Sequence, residues 1–267
     1  MVLAATILAM SRFINLELGG ESEDQSREQQ SALVKDEAYY LHEARVAFEN
    51  GSFEPALRFY SKVLEFNPQN ATAWTAQVRM LIELGEFREA RLWADKALER
   101  FPREPELLAA KAVALARGGD LQGALAFSDA SIEERGDTPY IWLARGDVLL
   151  ARAEHRADYC FEKALLLAPR DWFVAWLGAR IRFYYRQFVL ALNLLQQAIE
   201  WNAGHFLLWL EFGQCQQALG LIGPAKNSFL QAQQLNPNCP EANMALLRLG
   251  QSGFGTRLRG WWRRLWQ

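Results

Sequence analysis

The chain has 267 residues, with 29 lysines and arginines against 31 aspartates and glutamates, a net charge of −2 and a pI near 6.0. That balance gives no global pull toward nucleic acid. Three scattered cysteines, Cys160, Cys215 and Cys239, argue against a disulfide framework and point to a reducing, cytoplasmic setting. No apolar run reaches the length of a membrane-spanning helix.

In chain order, residues 1–18 begin with an apolar stretch, Val2 to Met10, without the basic lead of a signal peptide. It reads as an N-terminal helix, with a signal or anchor as the other reading. Residues 19–30 (GGESEDQSREQQ) hold no apolar side chain and read as an acidic flexible linker. From residue 31 to 250 the pattern is helical throughout. The first unit, 37–70, carries Tyr40, Ala44 and Ala47, turns at Gly51, and continues with Pro55, Ala56, Tyr60 and Val63. The second, 71–104, places Trp74, Val78, Leu81 and Ile82 on one helical face. It turns at Gly85-Glu86-Phe87, follows with the small residues Ala90, Ala94 and Ala97, and closes at Pro102. The units at 105–138, 139–171, 172–205 and 206–238 repeat this plan, and 240–250 reads as a helix capping the last one.

Three ladders share one period. Ala56, Ala90, Ala124, Ala157, Ala191 and Ala225 form the first. Val63, Ala97, Ser131, Ala164, Ala198 and Ala232 form the second, and Pro68, Pro102, Gly136, Pro169, Ala203 and Pro237 the third. Every step is 34 residues except one of 33, at the same place in each. A period of this size marks a solenoid of supersecondary units, none of which can bury its apolar face alone. The missing residue lies between Gly146 and Ala157, in or beside the turn Arg152-Ala153-Glu154, because a deletion inside a helix would rotate all later side chains by about 100°.

The pattern Trp74…Gly85…Ala90…Ala97…Pro102, echoed by Trp209…Gly213…Gly220…Ala225…Phe229…Ala232…Pro237, resembles the tetratricopeptide repeat over residues 37 to about 250. It departs from the family at Gly136 and Ala203, which lack the proline, and at Arg186, which lacks the turn glycine. The resemblance implies an all-α, right-handed superhelical solenoid of about six helix-turn-helix repeats plus a C-terminal capping helix. It also implies a protein-binding concave groove lined by the first helix of each unit. Carried over by position, the groove comprises Arg45, Arg79, Tyr140, Leu143, Asp147, Phe173, Trp176, Arg180, Phe183, Tyr184, Leu207, Leu210 and Gln214. The lysine and asparagine of the family's carboxylate clamp are replaced here by Leu41 and Arg45.

Catalysis finds no support in the sequence. His42, His155 and His205 are isolated from other metal ligands, and the glycines from Gly250 to Gly255 follow a helix and read as a hinge. No cofactor or metal is expected. Beyond the hinge lies TRLRGWWRRLWQ, residues 256–267. Drawn as a helix, Leu258, Trp261, Trp262, Leu265 and Trp266 share a face, flanked or opposed by Arg257, Arg259, Arg263 and Arg264. This is the composition of an interfacial segment. The sequence therefore predicts a non-catalytic scaffold whose partners are proteins or peptide segments. The alternative is a membrane-peripheral adaptor held by the tail, and a weaker one is an RNA-associated scaffold.

Overall fold

The computed structural model describes residues 35–250. The apolar N-terminal segment, the acidic linker and the basic tail read from the sequence lie outside the described residues. The chain divides into two units, Met1–Lys35 and Asp36–Gln267, and the fold described below belongs to the second.

Each repeat of the sequence forms a helical hairpin. In chain order these are α1 (Glu37–Glu49) with α2 (Phe53–Phe66), α3 (Ala71–Glu83) with α4 (Phe87–Arg100), and α5 (Pro105–Arg117) with α6 (Leu121–Glu134). Next come α7 (Pro139–Ala151) with α8 (Ala157–Leu167), α9 (Trp172–Tyr184) with α10 (Phe188–Trp201), and α11 (Phe206–Ala218) with α12 (Ile222–Leu235). A further helix, α13, runs from 240 to 250. Its Ala242 is buried, and Ala245, Leu246 and Leu249 pack against the core. Among the described residues every regular element is helical, giving an all-α repeat solenoid.

The starts of these helices are set by local chemistry. Asp36 and Asn70 accept hydrogen bonds from the backbone N–H groups of Tyr39 and Ala73, both at 2.9 Å, and Asp171 serves Phe173 and Val174. These caps satisfy donors that the first helical turn leaves free. Pro105 and Pro139 occupy first-turn positions where the missing N–H is harmless.

The six turns within hairpins share one closure. The N–H groups of Ser52, Glu86, Asp120, Glu154, Gln187 and Leu221 each donate to the carbonyl five residues earlier, at 2.8–2.9 Å. This six-residue closure needs a left-handed residue just before the donor. Gly51, Gly85, Gly119 and Gly220 supply it freely, whereas Ala153 and Arg186 adopt it with φ of 57° and 59° despite their Cβ. The turn residues also locate the missing residue. Ala153 still keeps the 34-residue spacing from Gly119, so the loss falls immediately after it. There α8 starts late, and Ala157 and Asp158 make bonds to Glu154 and His155 three residues back. The first turn of α8 is reorganised, and every other helix keeps its face.

A second repeated bond locks consecutive hairpins together. The indole N–H groups of Trp74, Trp142 and Trp209 donate to the carbonyls of Pro68, Gly136 and Ala203, at 3.0, 2.7 and 2.8 Å. The contact survives where the proline is absent, because the acceptor is backbone. Asn243 makes the same six-residue bond to the Pro237 carbonyl at 3.3 Å, so the capping helix copies the joint with an amide.

Inside the hairpins, small residues admit large partners. The alanine ladder from Ala56 to Ala225 is fully buried. At Gly146 and Gly213 a rebuilt Cβ would sit 2.8 Å from the Phe161 ring and 2.7 Å from the Phe229 ring, so each glycine is a slot for the facing phenylalanine. Fully burying such a ring contributes roughly 1.5–3 kcal/mol.

The solenoid also closes on itself. Phe48 at the end of α1 meets Phe173 and Trp176 of α9, with ring centroids 5.1 and 6.2 Å apart. Beside it, a Cβ on Gly51 would lie 3.0 Å from the Leu207 side chain in α11. The first hairpin thus packs on the fifth and sixth across the inside of the coil.

Candidate functional site

This closure converts an open groove into separate cavities. One of these cavities is a cleft of about 260 Å³ between the ends of α3 and α5 and the inward faces of α9 and α11. Its floor carries Glu83, Arg117, Arg180 and Glu211, and Phe87, Phe183 and Tyr184 stand at its rim. The two last aromatics are 37% and 47% exposed, which sets them apart from the buried rings behind them.

The floor is a connected charge network. Arg117 donates to Asp147 through Nη2 at 2.6 Å and Nε at 3.1 Å, and the Tyr185 hydroxyl donates to the same carboxylate at 2.7 Å. Arg180 donates through Nε and Nη2 to Glu83, at 3.0 and 2.7 Å, and through Nη1 to Glu211. Its guanidinium also lies 4.6 Å from the centroid of the Phe53 ring, and that of Arg117 lies 4.3 Å from the Tyr184 ring. Planar guanidinium groups suit this combined pairing and stacking.

The two glutamates respond differently to the shared arginine. Burial acts to raise Glu83, but Arg180, Arg117 and Arg79 outweigh it and hold its carboxyl below the usual range. Burial also raises Glu211, and Arg180 only partly offsets it while Glu83 pushes the same way as burial, so Glu211 ends above that range. At the back of the cleft, burial and the Glu211 carboxylate push the Cys215 thiol up to about 12, which makes it unreactive at neutral pH.

Of the groove residues expected from the sequence, Arg180, Phe183, Tyr184 and Gln214 come together in this cleft. Arg79, Tyr140, Leu143 and Asp147 line a narrow extension of about 30 Å³ behind it. Arg45 and Phe173 border a different cavity of about 320 Å³, between the first hairpin and α9. Five of the expected residues are interior and offer no surface to a partner. Leu143, Asp147, Trp176, Leu207 and Leu210 are all buried, Trp176 completely. For Trp176 and Leu207 the physical reason is the tight winding that lays Phe48 and Gly51 over α9 and α11, while Leu143 packs beside Gly178 and Asp147 is paired with Arg117.

Positional reasoning passed over Glu83, Arg117, Glu211 and Phe87. A signal for two of them was present: the thirteenth position of a unit, which selects Tyr184 in the fifth, selects Glu83 and Arg117 in the second and third. Among the described residues no cluster of histidine, cysteine and acidic side chains is arranged to hold a metal ion. None of the described helices is long and apolar enough to cross a membrane.

Paired helices stacked at a regular period, with a cleft bounded by their first members, define a helical-repeat interaction solenoid. The sequence model described as "Tetratricopeptide repeat" matches residues 21–170, and the chain belongs to that family. Among solved structures it is similar to a tetratricopeptide repeat protein from Parabacteroides merdae, at 18% identity and a TM-score of 0.51, covering 83% of this chain and 87% of that one. It is also similar to a thermophilic TPR protein of Thermus thermophilus, at 21% identity and a TM-score of 0.53, covering 68% and 99%. At these identities the likeness is one of fold. No curated protein sequence matches the chain.

Proposed function

We propose that the protein is a non-catalytic scaffold that holds a segment of a partner protein at the mouth of the α3/α5/α9/α11 cleft. The observation that carries this reading is the pair Phe183 and Tyr184, two large side chains left exposed on the rim of a preformed cavity. Exposed aromatics beside a pocket are the residues that most often dominate binding energy at protein interfaces. The family supports it as well, since tetratricopeptide repeats serve generally as protein-binding modules. The membrane and RNA readings rest on the sequence pattern of the tail alone, and nothing among the described residues favours them.

The test is affinity purification of the full chain beside a Phe183→Ser/Tyr184→Ser variant, with helicity of both followed by circular dichroism. Binding at the mouth predicts that specific partners are lost from a variant that keeps its helicity. An identical set of partners on both proteins overturns the reading.

A further inference from the structure

The cations around the cleft are shared unevenly between its two carboxylates. Arg117 is committed to Asp147, with Nη2 at 2.6 Å and both side chains almost completely buried. Arg117 still acts on Glu83 through space, whereas Arg180 is the one guanidinium that acts on Glu211, and it is shared with Glu83. Arg79 acts on Glu83 from the adjoining cavity, where it is stacked 3.8 Å from the Tyr140 ring centroid, and it is not among the groups that act on Glu211.

Resting on the interaction reading above, we infer that the partner segment presents a basic side chain, lysine or arginine, which enters past the exposed Phe183 rim and pairs with Glu211. Each part of the cleft suits such a group. The exposed Phe183 ring at the rim attracts a cation and packs its alkyl stem, while the Tyr184 ring is already stacked by Arg117. The cavity of about 260 Å³ has room for the stem and head. A carboxylate at the floor, sharing its arginine with a second carboxylate, gains a partner of its own. An acidic side chain entering here meets Glu83 and Glu211 in a partly desolvated site, where like charges repel strongly. A purely apolar one leaves Glu211 with only its share of Arg180. The raised pKa of Glu211, set by burial and by Glu83 against Arg180, has the sign expected of a carboxylate short of positive charge.

The experiment selects a phage-displayed random dodecapeptide library on the full chain. Selected peptides are then measured on wild type, Glu211→Gln and Phe183→Ser, with circular dichroism as the control for folding. The inference predicts enrichment of lysine or arginine flanked by apolar residues. It also predicts a loss of about tenfold or more, the scale of a close charge pair, both for Glu211→Gln and for replacement of the basic residue by norleucine. Peptides that are acidic or lack a basic residue, yet lose binding to Phe183→Ser, overturn the inference while leaving the interaction site standing. Peptides that bind Phe183→Ser as well as wild type, or a library that yields none, overturn both.

Discussion

Arg180 of α9 and Glu83 of α3 stand 97 residues apart in the chain and are joined by two hydrogen bonds, at 3.0 and 2.7 Å. The pair ties the second repeat to the fifth, and through Glu211 to the sixth, so it closes the coil as well as lining the cleft. Arg180→Ala leaves Glu211 without its cation and Glu83 without its hydrogen-bonded partner. Breaking a fully buried pair costs roughly 3–5 kcal/mol, and with these side chains 13–23% exposed we expect a smaller loss, about 2 kcal/mol. Urea denaturation of the variant measures it. A midpoint equal to wild type would show that the pair contributes nothing to closure.

The two glutamates give opposite pH dependence. Glu83 is depressed on folding, so its contribution is present above the unfolded carboxylate value and is lost as pH falls through its folded one. Glu211 is raised, so the folded state retains a proton that the unfolded state has released. Its effect on stability therefore worsens as pH rises from the unfolded value, near 4.5, through the folded one. Melting curves of wild type and Glu211→Gln across this window should show the variant gaining on wild type as pH rises. A constant difference in melting temperature would contradict the assignment.

Gly213→Ala forces a methyl group to within 2.7 Å of the buried Phe229 ring. Alanine gains up to about 1 kcal/mol of helix propensity over glycine, but overpacking typically costs about 1–3 kcal/mol and wins where the ring cannot move. Net destabilisation is expected. Gly223→Ala, which meets nothing within 4 Å, is the control and should leave stability unchanged or raised. Equal effects at the two sites would remove the size pairing between hairpin helices from the account.

Arg186 holds a left-handed turn that glycine fills in four of the other hairpins. Arg186→Gly relieves a strain of about 1–2 kcal/mol, less the entropy that glycine loses on folding, for a net gain of about 1 kcal/mol. Thermal denaturation should show a higher melting temperature. The reverse change at the same turn position, Gly85→Ala, should lower it.

The repeat, its hairpins and the capping helix were legible because each hairpin reuses the same solutions at a fixed period. The alanine ladder, the turn at Gly85 and the Trp74 joint recur where the next unit needs them. The 33-residue step was legible as well, and it was confined further only when Ala153 proved to hold the same left-handed turn as the glycines. The closure was not legible. The contacts of Phe48 with Trp176 and of Arg180 with Glu83 join hairpins far apart in the chain, and they leave no periodic mark in the sequence. Family positions alone therefore gave an open groove and placed Trp176 and Leu207 on its surface. The coil that these side chains help to close buries them. The same omission hid Glu211, and with it the meeting of Glu83 and Glu211 on one arginine.

Site-specific photocrosslinking tests the central claim most directly. A benzophenone amino acid is placed at Tyr184 on the cleft rim or, as a control, at Leu166, which is 75% exposed on a second helix away from the cleft. The account predicts that a co-purifying partner is crosslinked from position 184 and not from position 166. Crosslinking from position 166 alone, with a partner still co-purifying, would contradict it.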